Sequence, residues 1–328
     1  MVEEVDLSAL APTYQLLLGA VVLDALFGDP VYTLHPVRLM GRTLSMFETG
    51  LRKIRLDGYG GGCLLLGLLT LVWVVAVCVW ILAIDQYFPI LAWLVHLFFV
   101  YSLIAFRDLL RHGWTVESAL RRADLSGARR AVPRLVGRDT QQMDAAACRR
   151  AVIESLAESL VDGFISPLFW YEVLGLPGLL LFKVASTMDS MVGYKTPQYL
   201  RFGWCGARTD DLMNWLPARL TWLFMTLTAV ILPRVSAAKA FRIGWQQHAL
   251  VPGPNSGWSE ATTAGALQRR LVGPIWQGGK LVTTIWLGDA RDPQAGLAED
   301  FTHACRFIIA VGAGWVVLTA ALLVLYPA

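Results

Sequence analysis

Residues 62–106 read GCLLLGLLTLVWVVAVCVWILAIDQYFPILAWLVHLFFVYSLIAF, and they decide the fold class of this chain. The two apolar runs, 62–84 and 87–106, are each long enough to cross a bilayer as a helix, which takes about 20 residues. Only Asp85 and Gln86 separate them. The stretch therefore predicts a tight hairpin of two transmembrane helices.

Further apolar runs predict an all-α, polytopic integral membrane protein with about four to five transmembrane helices. Residues 307–326 form another long run, and 215–231 is a further candidate despite Arg219. Two segments are weaker. Residues 14–27 are short and contain Asp24, so a buried or interfacial helix fits them as well as a span does. Residues 164–184 are interrupted by Glu172 and two prolines, so we expect a re-entrant or partly buried segment.

Composition and charge agree with a membrane protein. The 328 residues are 55% hydrophobic and 16% charged, whereas about a quarter of a soluble domain is charged. Basic residues flank the hairpin on both sides, which places both flanks in the cytoplasm by the positive-inside rule. We therefore expect one membrane-embedded domain over 1–328, with cytoplasmic polar segments at 107–163 and 234–306.

Several classes of site are not expected. The five cysteines are scattered without a CxxC pair, and the five histidines are isolated, which argues against a disulfide framework and against zinc. The net charge of +3 comes without a basic-aromatic tract, so nucleic acid is not an expected partner.

Acidic residues recur at helical spacing in the middle of the chain. Glu154, Glu158 and Asp162 are four residues apart in ESLAESLVD, so a helix through 145–161 places them within a narrow arc. Like charges at that spacing repel. Either Arg149 or Arg150 compensates them on a solvated face, or they hold Mg²⁺, which takes one or two carboxylates together with substrate phosphate oxygens.

A second acidic group precedes the run 215–231. Asp210, Asp211 and Asn214 form a DDxxN pattern, and Asp189 lies in a TMDSM segment upstream. These residues either cap the following helix or pair with Arg208 or Arg219, or else they bind a metal or phosphate. Spacing alone leaves the alternatives open.

Candidate phosphate contacts lie elsewhere in the chain. Arg38 and Arg42 are one helical turn apart and suit bidentate contact with a phosphate, and GRDT at 137–140 is a second candidate. The glycine-rich GPIWQGGK at 273–280 is not a P-loop, because Gly279 occupies the place of the required lysine.

Taken together, these motifs resemble the adenosylcobinamide-phosphate synthase family of cobalamin biosynthesis, known as CobD/CbiB. The matching strings, in family order, are GDP and HPVRLMGR (within 28–42), GRDT (137–140), ESLAESLVDGFISPLFW (154–170), TMDSMVGYK (187–195), ARTDDLMNWLPARLT (207–221), PNSGWSEATTAGAL (254–267) and GP with GG (within 273–279). The sequence departs from the family pattern at Ser159 and Ser186, where the family usually has asparagine.

The resemblance implies a bacterial inner-membrane enzyme whose active site faces the cytoplasm. It would join a propionate carboxyl of adenosylcobyric acid to the amine of aminopropanol phosphate, or of a close analogue, using ATP and Mg²⁺. Its partners would be these substrates, the lipid bilayer and other late corrin-pathway enzymes.

On this basis the site residues are expected in three roles, all converging on one nucleotide and metal pocket. Catalytic roles are expected for Asp210, Asp211, Glu158 and Asp162. Magnesium contacts are expected from Glu154, Glu158, Asp189, Asp210, Asp211 and Asn214. Nucleotide and phosphate contacts are expected from Arg38, Arg42, Arg138, Asp139, Lys195, Arg208, Asn255 and Glu260.

Three alternatives stand beside this interpretation. The first is a Mg²⁺-dependent prenyl- or phosphatidyl-type transferase, which the absence of a repeated aspartate signature disfavours. The second is a transporter, which the large polar segments disfavour. The third is a degenerate family member that acts as a scaffold.

Overall fold

The computed structural model describes residues 6–30 and 32–326 and is 72% helical. The predicted all-α, polytopic fold class is confirmed. The helices are α1 (Tyr14–Phe27), α2 (Pro36–Lys53), α3 (Tyr59–Thr70), α4 (Val77–Asp85), α5 (Pro89–Ser102), α6 (Phe106–Arg121), α7 (Leu125–Ala131), α8 (Ala145–Leu160), α9 (Ser166–Val192), α10 (Trp204–Ile231), α11 (Ala237–Gln247), α12 (Ser256–Leu267) and α13 (Ala298–Leu325). Short 3₁₀ turns lie at Ser8–Leu10 and Val132–Arg134.

Local sequence explains where several helices begin. The side chains of Thr13, Asp124, Asp144 and Ser236 each accept a hydrogen bond from a backbone N–H of the first turn that follows. Each thereby satisfies one of the donors that a helix N-terminus leaves unpaired. Helices α2 and α5 instead begin with a proline, whose missing N–H costs nothing at that position.

Two π-helical segments join helices end to end. Leu71–Ala76 connects α3 to α4, so the chain runs as one helical segment over Tyr59–Asp85 before turning back into α5. Helix α4 packs against α5, which is the hairpin predicted from 62–106. Val161–Ile165 connects α8 to α9 and contains Asp162.

Five helical segments in the described part of the chain are long and apolar enough to cross a membrane, which indicates a multi-pass membrane protein. They are Ser8–Phe27, Tyr59–Asp85, Pro89–Arg121, Ala145–Val192 and Ala298–Leu325. The predicted run 62–84 and the weaker segments 14–27 and 164–184 fall inside this set. The predicted runs 87–106 and 307–326 match Pro89–Arg121 and Ala298–Leu325 except at residues 87, 88 and 326. The 28-residue α10, which contains 215–231, is not in the set. Its first half is polar, with Arg208, Asp210 and Asp211.

The chain divides into two compact units. The first unit comprises residues 1–105, 166–213 and 316–328. Within it α1 packs against α5, and α9 packs against α2, α3 and α5. Phe182 and Ala185 of α9 form a small core with Met213. In the first unit α9 is therefore packed against three of the N-terminal helices.

Helix α9 is bent at Gly175, which has a positive φ of 64°. Pro177 follows within the same helix, and a Cβ at Gly175 would collide with the carbonyl oxygen of Leu10. Glycine is needed here for two reasons, because it tolerates the left-handed region and leaves room for the neighbouring backbone. The predicted interruption of 164–184 is thus present as a kink.

The second unit comprises residues 106–165 and 214–315. One hydrophobic core of this unit joins Ile153 of α8 to Ile243 of α11, to the α12 residues Ala261 and Ala264, and to Leu271. Helices α11 and α12 pack closely, because Gly265 lies against the backbone of Lys239. A second cluster joins Val161, Ala218, Trp222 and Trp258.

Four short strands lie between α12 and α13, a feature that the sequence does not predict. They are β1 (Leu271–Val272), β2 (Ile275–Gln277), β3 (Lys280–Thr283) and β4 (Trp286–Leu287). Strand β1 pairs with β4 and β2 with β3, both antiparallel. Gly278 and Gly279 form the β2–β3 turn with positive φ angles of 59° and 73°, the sign that a type I′ hairpin turn requires at both central residues. The GPIWQGGK stretch is therefore a hairpin, whereas a P-loop leads into a helix.

Candidate functional site

In the second unit, the carboxylate of Glu154 is fixed from two sides. Helix α8 buries it to 3% exposure. The guanidinium of Arg138 donates a hydrogen bond of 2.6 Å to Oε2, and the backbone N–H of Val272 donates one of 2.8 Å to Oε1. Glu154 therefore connects the GRDT segment to strand β1. One alternative for the acids of α8 is compensation by Arg149 or Arg150, but the cation that binds Glu154 directly is Arg138.

The two arginines of α8 have other contacts. Arg149 donates a hydrogen bond of 2.7 Å to the buried Glu117 and another of 3.0 Å to the carbonyl oxygen of Gly296. Arg150 donates one long hydrogen bond of 3.3 Å to the carbonyl oxygen of Ala295. The expected solvated face with a local ion pair is therefore absent at this part of α8.

The backbone at Val272 is strained where it meets Glu154. Its φ is 67°, which is an outlier for a β-branched residue. Such strain persists only where the surroundings fix it, and it clusters at functional sites. The hydrogen bond to Glu154 and the pairing of Val272 with Trp286 are the contacts that hold it here.

The GRDT segment and the β2–β3 hairpin bind each other. The backbone N–H of Asp139 donates to the carbonyl oxygen of Trp276 at 2.8 Å, and the Asp139 carboxylate accepts from the N–H of Gly279 at 2.7 Å. Gln277 donates to the carbonyl oxygen of Gly137 at 3.1 Å. Two motifs that are about 140 residues apart in the sequence are thus adjacent in the structure.

A cavity of about 630 Å³ lies between this segment, the start of α8 and the hairpin. Its lining includes Arg138, Asp139, Asp144, Arg150 and Trp276. The volume is within the range of about 300–1,000 Å³ that is usual for small-molecule sites. Arg150, for which the sequence predicts only a compensating charge, belongs to this cavity. The only signal for it in the sequence is its position one helical turn before Glu154.

The other candidate residues of the second unit lie on α8, α10 and α12 or just beside them. Glu158 is exposed, whereas residues 151–157 of α8 are all buried. Asp162 is half-buried in the π-helical segment, so it leaves the regular α-helical arc expected for it. Asn255 is the N-cap residue of α12, and both it and Glu260 are buried.

Glu260 lies among like charges. Burial raises its pKa well above the usual range, and the carboxylates of Glu158 and Glu154 raise it further, while Arg138 and a hydrogen bond with Ser256 act in the opposite direction. Three carboxylates of the second unit are therefore within electrostatic reach of one another. They include the predicted metal ligands Glu154 and Glu158.

In the first unit, Arg38 and Arg42 are exposed on one face of α2, as their spacing predicts. Both line an open depression of about 500 Å³ together with Gly41, Ser45 and Met191. Arg42 also donates a hydrogen bond of 3.3 Å to the carbonyl oxygen of Thr33. The two guanidinium groups are thus available on a concave surface.

A second polar group of the first unit combines acids with cations. The carboxylates of Asp189 and Asp211 are within electrostatic range of each other, and Lys195 and Arg208 act on Asp211. Arg208 is within 3.5 Å of the Asp211 carboxylate. Burial raises the pKa of Asp211, and the two cations lower it. Four residues from two separate motifs are therefore neighbours.

Asp210, Asp211 and Asn214 lie inside α10, which begins at Trp204, before the predicted span 215–231. The alternative that they cap the N-terminus of this helix is therefore wrong. Asp210 is half-buried, and Asn214 is buried with 1% exposure. The pairing of Asp211 with Arg208 agrees with the other alternative.

The donor set suits a magnesium ion that is shared with a substrate. No group of three or more His, Cys, Asp and Glu side chains in the described ranges could hold a metal by itself. Magnesium commonly binds through one or two carboxylates and completes its shell with water and phosphate oxygens. Asp189 with Asp211 fits that description, so the expected metal contacts stay a prediction.

Comparison with known proteins agrees with the resemblance of the motifs. Residues 17–308 match the family described as CobD/Cbib protein. A cobalamin biosynthesis protein CobD from Photorhabdus laumondii is 41% identical over 83% of this chain and 86% of its own length. One from Klebsiella pneumoniae is 41% identical over 82% and 85%. No solved structure matches this chain.

A third relative covers more of the sequence. The cobalamin biosynthesis protein CbiB from Salmonella typhimurium is 37% identical over 94% of this chain and 94% of its own length. The matched family region includes every candidate site residue named above. The chain belongs to the CobD/CbiB family of cobalamin biosynthesis proteins.

Proposed function

We propose that this protein forms an amide bond between a propionate carboxyl of adenosylcobyric acid and the amine of aminopropanol phosphate, or of a close analogue, at the expense of ATP. Family membership gives it the broader role, that of a membrane enzyme of cobalamin biosynthesis. That role favours amide ligation over the transferase and transporter alternatives. The proposed ligation rests on the polar candidate residues that the structure places in each of the two units.

The observation on which the proposal rests is the group formed by Asp189, Lys195, Arg208 and Asp211. Two carboxylates close to two cations are the combination that Mg²⁺–ATP needs, because the acids bind the metal and the cations bind the phosphates. When bound, the metal would neutralise charge on the β- and γ-phosphates. Arg38 and Arg42 offer two further guanidinium groups for phosphate in the same unit.

The chemistry needs an activated carboxyl, because a carboxylate is a poor acyl donor at neutral pH. In the proposed sequence, a carboxylate oxygen of the corrin side chain attacks the γ-phosphorus, and ADP leaves. The amine nitrogen then attacks the carbonyl carbon of the acyl phosphate, and the C–O bond to phosphate breaks. The nitrogen loses a proton as the amide forms. The Glu158 carboxylate is the proposed proton acceptor.

The direct test is turnover by the purified full chain in detergent. Adenosylcobyric acid, ATP, Mg²⁺ and aminopropanol phosphate should yield the amide and an equal amount of ADP, both measured by mass spectrometry. Omission of ATP or Mg²⁺ should abolish the product. If the wild-type protein forms no ATP-dependent amide, the proposed reaction is wrong.

A matched pair of variants tests the group itself. Asp211→Asn should lower turnover by a hundredfold or more, since each lost metal or transition-state contact costs several kcal/mol. Asp57→Asn changes an exposed aspartate of the same unit outside the group and should turn over like wild type. Near-normal turnover by a folded Asp211→Asn protein would remove Asp211 from the site.

A further inference from the structure

The cavity beside α8 has a charge pattern that suits a ligand with both signs of charge. Two arginines, Arg138 and Arg150, and two aspartates, Asp139 and Asp144, line it. The opposite charges balance, so a polyanion gains little there. A small molecule with one cationic and one anionic end would find a partner for each end. A short apolar wall is also present, formed by Met143, Pro274 and Trp276.

On the cationic side, Arg150 has unused donor capacity. A guanidinium carries five N–H donors, yet Arg150 makes one long protein hydrogen bond, and its buried Nε has no hydrogen-bond partner. The guanidinium lies 5.2 Å from the centre of the Trp286 ring, a cation–π contact that orients it without occupying its N–H groups. Arg138, by contrast, is engaged by Glu154. Arg150 is therefore the lining cation with the most donors to offer a phosphate.

On the anionic side, both aspartates are fixed by backbone groups through one oxygen. Asp139 accepts through Oδ2 from the N–H of Gly279, and Asp144 accepts through Oδ1 from the N–H of Ala147. Both side chains are otherwise exposed. A carboxylate has about four lone-pair sites, so each retains acceptor capacity. An ammonium group is the natural complement, and the rigid backbone contacts keep the acceptors in place.

We propose that this cavity binds the amino-alcohol phosphate as a zwitterion, with Arg150 contacting the phosphate and Asp139 the ammonium group. The inference rests on the proposed function, because it locates one substrate of that reaction. It assigns Arg150 a substrate contact and gives Asp139 an ammonium instead of a nucleotide contact. The apolar wall would contact the short alkyl chain between the two charged ends.

The test measures binding of four ligands to the detergent-solubilised full chain by calorimetry, apart from turnover. Aminopropanol phosphate carries both charged ends, propyl phosphate lacks the amine, aminopropanol lacks the phosphate, and ATP reports on the nucleotide. Wild type should bind aminopropanol phosphate more tightly than either truncated ligand. Each missing charged contact should weaken binding roughly 10- to 100-fold, as expected for hydrogen bonds to charged groups.

Two variants separate the two ends of the ligand. Arg150→Met removes the phosphate contact, so this variant should bind aminopropanol phosphate no more tightly than aminopropanol. Asp139→Asn removes the ammonium contact, so this variant should bind aminopropanol phosphate no more tightly than propyl phosphate. The asparagine oxygen can still accept from Gly279, and the side chain is exposed, so the Asp139→Asn protein should fold. Arg122→Met and Asp57→Asn change exposed residues that do not line the cavity, and they should retain both preferences.

The outcomes distinguish this inference from the proposed function. If wild type forms the amide while Asp139→Asn and a folded Arg150→Met keep both preferences, the cavity assignment is overturned and the reaction stands. If either variant instead weakens the binding of ATP and of no other ligand, the cavity is a nucleotide site and the inference is wrong. If wild type forms no amide but shows both preferences, the zwitterion site stands and the reaction fails. If Arg150→Met does not fold, the affinities of Asp139→Asn for aminopropanol phosphate and for propyl phosphate decide whether the inference holds.

Discussion

The buried Glu154 carboxylate accepts a hydrogen bond of 2.8 Å from the backbone N–H of Val272, 118 residues further along the chain. The same carboxylate holds Arg138 at 2.6 Å. One side chain of α8 thus fixes both the GRDT segment and a strained position of β1. Because these elements form the walls of the cavity, the geometry of the cavity depends on Glu154.

We expect Glu154→Ala to destabilise the protein more than Glu154→Gln does. Alanine leaves Arg138 without its carboxylate and Val272 without its acceptor, and breaking a buried pair costs about 3–5 kcal/mol. Glutamine retains an acceptor for Val272 and should cost about 1–3 kcal/mol. Equilibrium unfolding in mixed micelles measures both. The exposed Glu299→Ala is the control and should stay within about 0.5 kcal/mol of wild type. Equal losses for Glu154→Ala and Glu154→Gln would contradict this assignment.

The protonation of Glu260 should make stability depend on pH. Burial and the Glu158 and Glu154 carboxylates raise its pKa in the folded state, whereas an unfolded glutamate titrates near about 4.3. Between these two pKa values the folded protein binds more protons than the unfolded one, so stability falls as the pH rises. Below the pKa of the unfolded state, protonated Glu260 contributes its full stabilisation of the folded protein relative to the ionised form.

Glu260→Gln mimics the protonated side chain and isolates this effect. The melting temperature of the variant should change less between pH 5 and 8 than the melting temperature of wild type. The stability of the variant relative to wild type should therefore increase as the pH rises. The exposed Glu299→Gln should keep the wild-type slope. Parallel pH curves for wild type and Glu260→Gln would show that Glu260 does not titrate differently in the folded state.

Much of the fold could be predicted because long apolar runs leave few alternatives in a membrane. The helix expected over 145–161 is observed at Ala145–Leu160, followed directly by the π-helical segment. The strands could not be predicted, since two to four residues with no alternating pattern carry no periodic signal. An interruption of 164–184 could be predicted from Glu172 and the two prolines. The kink at Gly175, where the backbone of Leu10 approaches closely, could not.

The sequence predicts the motifs of the candidate site better than it predicts the contacts between them. GRDT and the GP–GG stretch are both motifs in the sequence. Their contact uses the backbone N–H groups of Asp139 and Gly279, the carbonyl oxygen of Trp276 and the Asp139 carboxylate, and the positions of backbone groups are not encoded by residue types. One alternative for the acids of α8 is compensation by Arg149 or Arg150 of the same helix, and a local attraction of that kind is worth a few tenths of a kcal/mol. At Glu154 the hydrogen-bonded cation is Arg138, 16 residues away in the sequence. Convergence of all the predicted residues on one pocket stays a prediction.

Two glycines of α3 give a stability test within one helix of the first unit. A Cβ at Gly62 would collide with the carbonyl oxygen of Phe202, whereas Gly67 has nothing within 4 Å. Gly62→Ala should therefore destabilise the protein by about 1–3 kcal/mol through overpacking. Gly67→Ala should be neutral or stabilise it by up to about 1 kcal/mol, through helix propensity. Thermal unfolding in detergent measures both changes. Equal changes in melting temperature for the two variants would contradict the close packing of α3 at Gly62.

The thiol of Cys205 should react unusually slowly with alkylating agents. Burial raises its pKa to about 11, and a hydrogen bond with the Cys63 thiol contributes to the rise. Only the thiolate is nucleophilic, so at pH 8 its thiolate fraction is on the order of a hundredfold below that of a free cysteine with a pKa near 8.5. Iodoacetamide labelling followed by mass spectrometry should show a rate at Cys205 that climbs steeply as the pH approaches 11.

The contribution of Cys63 can be separated from that of burial. Cys63→Ala removes the neighbouring thiol and should lower the pKa of Cys205, so that alkylation at pH 8 becomes faster while part of the rise caused by burial persists. Cys78→Ala removes a buried thiol from α4 of the same unit and should leave the rate at Cys205 unchanged. An unchanged rate in Cys63→Ala would mean that the two thiols are not neighbours, and it would place the start of α3 away from the start of α10.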